Sequence, residues 1–177
     1  MTATATGTWR HLAARFFGSL RPGGPPPADE AWAASLLLPG ELTLWQRMSG
    51  PDRRHAVGVA RRTEAALPAP VAHPVLAAAL LHDVGKISSG LGPVRRAVAT
   101  LAGMAASHDA ATRWQSRSGP LGRTGRYLCH DAIGADLLAA AGSDDLTVAW
   151  AREHHLPPDR WTVPAGVGDA LKLADDD

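Results

Sequence analysis

The stretch Leu80-Leu81-His82-Asp83-Val84-Gly85-Lys86 closes an apolar run that begins at Val75. The run is mostly Ala and Leu and reads as a buried helix. It ends on an imidazole and a carboxylate in direct succession. Burying that pair is costly unless both groups find partners, and a divalent cation satisfies both at once. Lys86 lies four residues after His82 and three after Asp83, so it shares their face if the turn persists. Gly85 offers backbone without side-chain bulk, where a ligand can approach closely. A cation beside a lysine at a helix end suits a phosphate. A lone His-Asp after a helix is more often a cap or a surface pair. Two side chains also cannot fill a hard-cation site, so the rest of the chain has to supply further ligands.

Candidates lie on both sides. Ser49-Gly50-Pro51 stops the chain, and Asp52 is the expected N-cap of a helix over Arg53–Leu67. That helix holds His55 near its start; taken alone, such a histidine is a cap or a surface residue. His73 before Pro74 reads as a local capping residue at the start of the central helix. A helix over Arg123–Ala141 carries His130 and, beyond it, Gly134, which allows close packing against a neighbour. A helix from Ser143, its expected cap, ends in His154-His155. Two adjacent imidazoles repel if both are charged, so they should share an acceptor or a metal. A last helix over Ala165–Ala174 leads into Asp175-Asp176-Asp177. His108-Asp109 repeats the central pair without the apolar lead-in or the Gly-Lys, and reads as a decoy.

Every periodic segment has helical spacing, and no strand alternation appears, which predicts an all-α, compact multi-helix bundle of roughly seven to ten helices. Among 177 residues, 45% are hydrophobic and Ala and Leu dominate, enough for a real core. Ala28–Leu38 and Glu41–Met48, split by Pro39-Gly40, supply Trp32, Leu36, Leu37, Leu44, Trp45 and Met48 to it. Pro93–Met104 reads as a helix with Val94, Ala97, Val98, Leu101 and Met104 facing inward. Arg95 and Arg96 on it face either an anion or solvent. Residues 105–122 read as a polar, irregular connection, long enough to serve as a lid. Trp9–Leu20 has a helical apolar period ringed by Arg10, Arg15 and Arg21, and suits either packing on the core or a weak membrane-surface or partner contact. A Pro/Gly-rich linker ends near residue 27, dividing the chain into residues 1–27 and a domain over 28–177. The net charge of +1 gives no reason to expect a nucleic-acid partner. Cys129 stands alone, so no intrachain disulfide is expected. No apolar run reaches the length of a membrane span and no secretory signal is visible, so a soluble cytoplasmic protein is expected.

The segment H-D-V-G-K-I at His82–Ile87 resembles the signature of the HD-domain superfamily of metal-dependent phosphohydrolases. D-R-R-H-A-V-G-V-A-R-R is similar to that family's first motif, with His55 as its histidine. His130 followed by Ile133-Gly134 resembles a motif of multi-helix members. His154-His155 before Pro157-Pro158, with Trp161 and Pro164 beyond, resembles the HD-GYP branch, whose D-G-x-G-Y-P string is missing. Leu171-Lys172-Leu173-Ala174-Asp175 is similar to the closing motif and favours Asp175 over Asp176. The resemblance covers residues 40–176. It implies an HD-domain-like bundle with a divalent metal ion held by His55, His82, Asp83 and Asp175. This mixed nitrogen and oxygen set suits Mn, Fe, Co, Ni, Zn or Mg without choosing among them. Asp83 would also orient the attacking water, and Lys86 would hold a phosphate oxygen. His130, His154 and His155 would build a second metal site or stabilise the leaving group. Two-metal relatives often carry an acidic residue four positions before the first histidine; here that position is Pro51. The implied activity is hydrolysis of a phosphate mono- or diester, such as a nucleotide. The alternative is a non-catalytic metal- or nucleotide-binding signalling module of the same fold. The intact ligand set with Lys86 favours the enzyme.

Overall fold

The computed structural model describes residues 23–105 and 108–176. The helix expected over Trp9–Leu20 lies outside the described residues. The described chain is all-α: ten α-helices and two 3₁₀ turns, with no strand among the described residues. They are α1 (Pro27–Leu36), α2 (Pro39–Arg47), α3 (Gly50–Ala66), α4 (His73–Leu81), a 3₁₀ turn (Val84–Ser88), α5 (Pro93–Ala105), α6 (His108–Gln115), α7 (Gly119–Leu128), α8 (His130–Ala141), α9 (Asp145–Glu153), a second 3₁₀ turn (Pro158–Arg160) and α10 (Ala165–Asp176).

The fold is built around α4. Val75 to Leu81 are all buried, because a helix apolar on every side has to be surrounded on every side. Its neighbours α1, α2, α3 and α9 supply that shell. Trp45 from α2, Leu138 from α8, Trp150 from α9 and Leu171 from α10 complete the core. Each fully buried leucine of this kind contributes about 1.5–3 kcal/mol. Glu30 ties the first three helices together: its carboxylate accepts from Trp45 Nε1 at 2.9 Å and from Arg53 Nε at 2.8 Å. Gly142, in the left-handed conformation at φ 79°, ends α8.

Several local expectations are corrected. Residues 105–122 do not form an irregular lid; described residues 108–115 and 119–128 are helices α6 and α7. Gly122 of that stretch and Gly125 beyond it are packing positions. A Cβ on Gly122 would overlap the carbonyl of Arg117, and one on Gly125 the backbone of Gln115, so the two helices cross closely because these residues have no side chain. The single helix expected over 123–141 breaks at Cys129, which makes His130 the first residue of α8. Ser49, rather than Asp52, caps α3 by accepting from Asp52 N, and Asp144, rather than Ser143, caps α9. His73 is the first residue of α4, and no side-chain bond caps that helix. Val94, Val98 and Leu101 of α5 face outward, with Leu101 67% exposed. The inward positions are instead Ala99, which is buried, and Gly103, which lies against the Leu128 side chain.

Candidate metal centre

Six elements meet at one place. The last turn of α4 delivers His82 and the following Asp83. The tight 3₁₀ turn then carries Lys86 onto the same side, three residues after Asp83. Helix α8 begins there with His130, and α9 ends there with His154 and His155. His55 comes from α3 and Asp175 from the last turn of α10.

What holds these elements in register is a backbone contact. A Cβ on Gly85 would overlap the carbonyl oxygen of His130, and one on Gly134 would lie 3.1 Å from the Gly85 nitrogen. Gly134 permits close packing, as its sequence context suggests. Gly85 serves the approach of α8 and not the approach of a ligand, contrary to expectation.

The histidines are aimed by carbonyls three residues before them. Nδ1 donates to the carbonyl three residues earlier in His82 (Ala79, 2.9 Å), His130 (Tyr127, 2.7 Å) and His154 (Ala151, 3.0 Å). A carbonyl only accepts, so Nδ1 carries a proton and Nε2 is the nitrogen directed at the centre, with a lone pair whenever the ring is neutral. Nε2 of His82 and of His154 is buried and has no hydrogen-bond partner. Orphaned buried nitrogens are costly, so their convergence calls for an electrophile.

Asp83 stands between two groups. Its Oδ2 faces His82 Nε2 at 3.5 Å and pairs with the Lys86 ammonium, while Oδ1 lies 3.2 Å from His130 Nε2 and 3.9 Å from His154 Nε2. On one side of it His55, His82 and Asp175 form a triad. Asp175 Oδ1 lies 3.0 Å from His55 Nε2 and 3.6 Å from His82 Nε2. On the other side His130, His154 and His155 form a second triad, with Nε2 of His130 and His155 3.3 Å apart. Within each triad one ligand atom per residue lies within 4.8 Å of the others. Tetrahedral ligands at 2.0–2.1 Å from one ion lie about 3.3 Å apart, the separation that His130 and His155 already have.

The electrostatics agree with a cation-seeking centre. Burial opposes charge on His82, but Asp83 and Asp175 outweigh it and push its pKa up to about 10. Burial also opposes the charge on Asp83, yet Lys86 and His82 hold its pKa well below the usual carboxylate range. Lys86 is pushed up by Asp83 against its own burial. His154 and His155 behave in the opposite way. Burial, then the neighbouring imidazoles, lower His154 strongly. Desolvation within the cluster and His130 push His155 down to about 4, although its outer edge is exposed. His154 and His155 are therefore neutral at neutral pH, the form in which imidazole binds a metal.

All the residues singled out in the sequence for this site (His55, His82, Asp83, Lys86, His130, His154, His155 and Asp175) meet in one cluster. Asp176 points elsewhere and is exposed, bound to Lys172 at 2.9 Å. Asp109 is exposed on α6. Arg62 is a supporting residue that sequence reasoning missed: its Nε and Nη2 donate to the Ala174 carbonyl at 2.9 and 2.7 Å, fixing the turn that carries Asp175. Two helical turns separate it from His55 on α3, a spacing that was visible but carried no chemistry by itself. Tyr127 was also missed; its ring stacks on His130 with centroids 5.8 Å apart. Compared with known protein families, with curated proteins and with solved structures, the chain matches none.

Proposed function

We propose that the chain is a metal-dependent phosphohydrolase that cleaves a phosphate mono- or diester, with a nucleotide as one suitable substrate. The observation that carries this reading is Asp83. It is a single buried carboxylate set between two triads, each containing an orphaned imidazole nitrogen directed at it. The residues present fit a divalent ion. The donors are nitrogen and oxygen only, which suits Mn, Fe, Co, Ni, Zn or Mg, and the lone cysteine, Cys129, is not among them. Bound there, such an ion supplies charge neutralisation at phosphorus and an acidified water. The H-D-V-G-K-I resemblance to HD-domain phosphohydrolases points to the same activity.

The roles of the chain's own groups follow from their positions. His55, His82, Asp83 and Asp175 would hold the first ion. His130, His154 and His155, the first two of them beside Asp83 Oδ1, would hold a second or stabilise the leaving oxygen. Pro51 does not weaken that second position, because three imidazoles converge on it. The nearby acid, Asp52, is engaged elsewhere: its two oxygens accept from Arg96 Nη1 at 2.6 and 2.9 Å. Lys86 would release Asp83 to a cation and hold a phosphate oxygen. Its present pairing with Asp83 is the one feature that also suits a non-catalytic metal- or nucleotide-binding module.

Asp83→Ala tests the reading. It should lose metal affinity and nearly all turnover of a generic phosphodiester while keeping its helical content. An unpartnered His82 and Lys86 should lower stability by ~1–3 kcal/mol. Elemental analysis and thermal melting with and without added Mn decide the matter. A variant that holds metal as tightly as wild type ends the metallohydrolase reading.

A further inference from the structure

Four of the six large hydrophobic side chains that stand exposed among the described residues lie in α5 and α7. Val94, Val98 and Leu101 recur at i, i+4 and i+7, so they form one stripe along α5. Arg96, on roughly the opposite side of the helix, is bound to Asp52 and to the Leu91 carbonyl. The stripe therefore points away from the body of the protein. Leu121, at the start of α7, is 46% exposed.

The charge of this region differs from the rest. Residues 93–128 carry six arginines and a single acid, Asp109. Arg95, Arg113, Arg117 and Arg123 are exposed, whereas Arg126 is used internally on the Ser88 and Gln115 carbonyls. Residues 1–22 add three arginines and no acid. The remaining stretches, 23–92 and 129–177, carry nine basic and sixteen acidic side chains. Near-neutrality overall thus conceals a basic unit that bears the exposed aliphatic stripe.

We propose that α5–α7 is a docking face for an anionic lipid surface. Exposed arginines in the same helical unit as a short aliphatic stripe match anionic headgroups over acyl chains, the chemistry of a helix lying in the plane of an interface. A nucleic-acid partner would call for stacking aromatics in place of Val and Leu. The sequence of residues 9–20, with Trp9, Leu12, Phe16, Phe17 and Leu20 beside Arg10 and Arg15, offers the same chemistry a second time. No described helix is long and apolar enough to cross a membrane, so the contact is peripheral. The inference stands apart from the phosphohydrolase reading.

The test is co-sedimentation of the full chain with vesicles of phosphatidylcholine alone and of phosphatidylcholine mixed equally with phosphatidylglycerol. Association is expected with the mixed vesicles only, and it should weaken as salt rises. Val98→Asp with Leu101→Asp should lower partitioning at least about tenfold. Arg95→Ala with Arg123→Ala should lower it by about fivefold for each arginine. Circular dichroism should match wild type in both, since all four side chains are exposed. The proposal is overturned if mixed vesicles fail to bind the chain, or if the aspartate variant binds them as well as wild type. A wild-type dimer that the aspartate variant dissolves would make the stripe a self-association surface. An RNA oligonucleotide whose binding that variant weakens equally would assign the face to nucleic acid. Either result also overturns it.

Discussion

At the scale of single residues, the centre is set by which nitrogen of each histidine holds the proton. The carbonyls of Ala79, Tyr127 and Ala151 take the Nδ1 protons of His82, His130 and His154, and each carbonyl belongs to the histidine's own turn. The aim of the imidazole is therefore encoded locally, within three residues, before the helices meet. His154 and His155 belong to the second triad, which lies on the other side of Asp83 from the first. His154→Ala and His155→Ala should each reduce phosphoester turnover while the first ion stays bound, as elemental analysis would report. Loss of all metal in either variant would place these residues around the main ion instead. His154, which is fully buried, should also cost stability on truncation, by ~2 kcal/mol or more. His155, with its exposed edge, should cost little.

At the scale of elements, the distance between the two triads is set by helix packing rather than by side-chain length. The Gly85–His130 backbone contact brings α8 onto the 3₁₀ turn. Gly85→Ala should force these elements apart and cost about 2 kcal/mol or more, since the obstacle is backbone and cannot rotate away. Thermal melting and metal stoichiometry would show it; a variant with wild-type melting and full metal content would refute the contact. The buried helix at Val75–Leu81 was legible in the sequence because a run with no polar side excludes a surface position. The pairing of His82, Asp83 and Lys86 on one face followed from spacing. Other elements were not legible, for physical reasons. Gly122 looks like a loop residue until the Arg117 carbonyl is there to press on it. The stripe Val94–Leu101 has the period of a core-facing helix, and periodicity records a face without saying what covers it. Arg62 supports Asp175 through a carbonyl 112 residues away, a contact that no local pattern reveals.

At the scale of the whole molecule, stability and metal binding are linked through protons. His82 has a folded pKa of about 10 against 6.5 unfolded, so its contribution is complete below about pH 6.5 and is lost as pH rises towards 10. The lowered pKa of His155, about 4, acts in the opposite direction. There the unfolded chain takes up the proton first, and stability falls as pH drops from about 6.5 to 4. Chelated protein should thus melt highest near neutrality, with losses on both sides. A cation competes with the His82 proton, so added Mn should raise melting most at the alkaline end. Melting curves across pH with chelator and with Mn would test this; an Mn effect independent of pH would count against His82 as the competing group.

The segregation of arginines onto α5–α7 has a consequence for how the molecule travels. A protein of charge +1 has almost no monopole, yet residues 93–128 carry six basic side chains and one acid while residues 129–177 carry three basic and ten acidic, and separating these two sets in space would give the molecule a permanent dipole moment. In a field it turns before it drifts. Near any anionic boundary the basic end would lead, and the encounter would be oriented before contact. Such alignment acts only within a Debye length, about 10 Å at 0.1 M salt. Ionic strength would therefore govern the direction of approach as much as its rate.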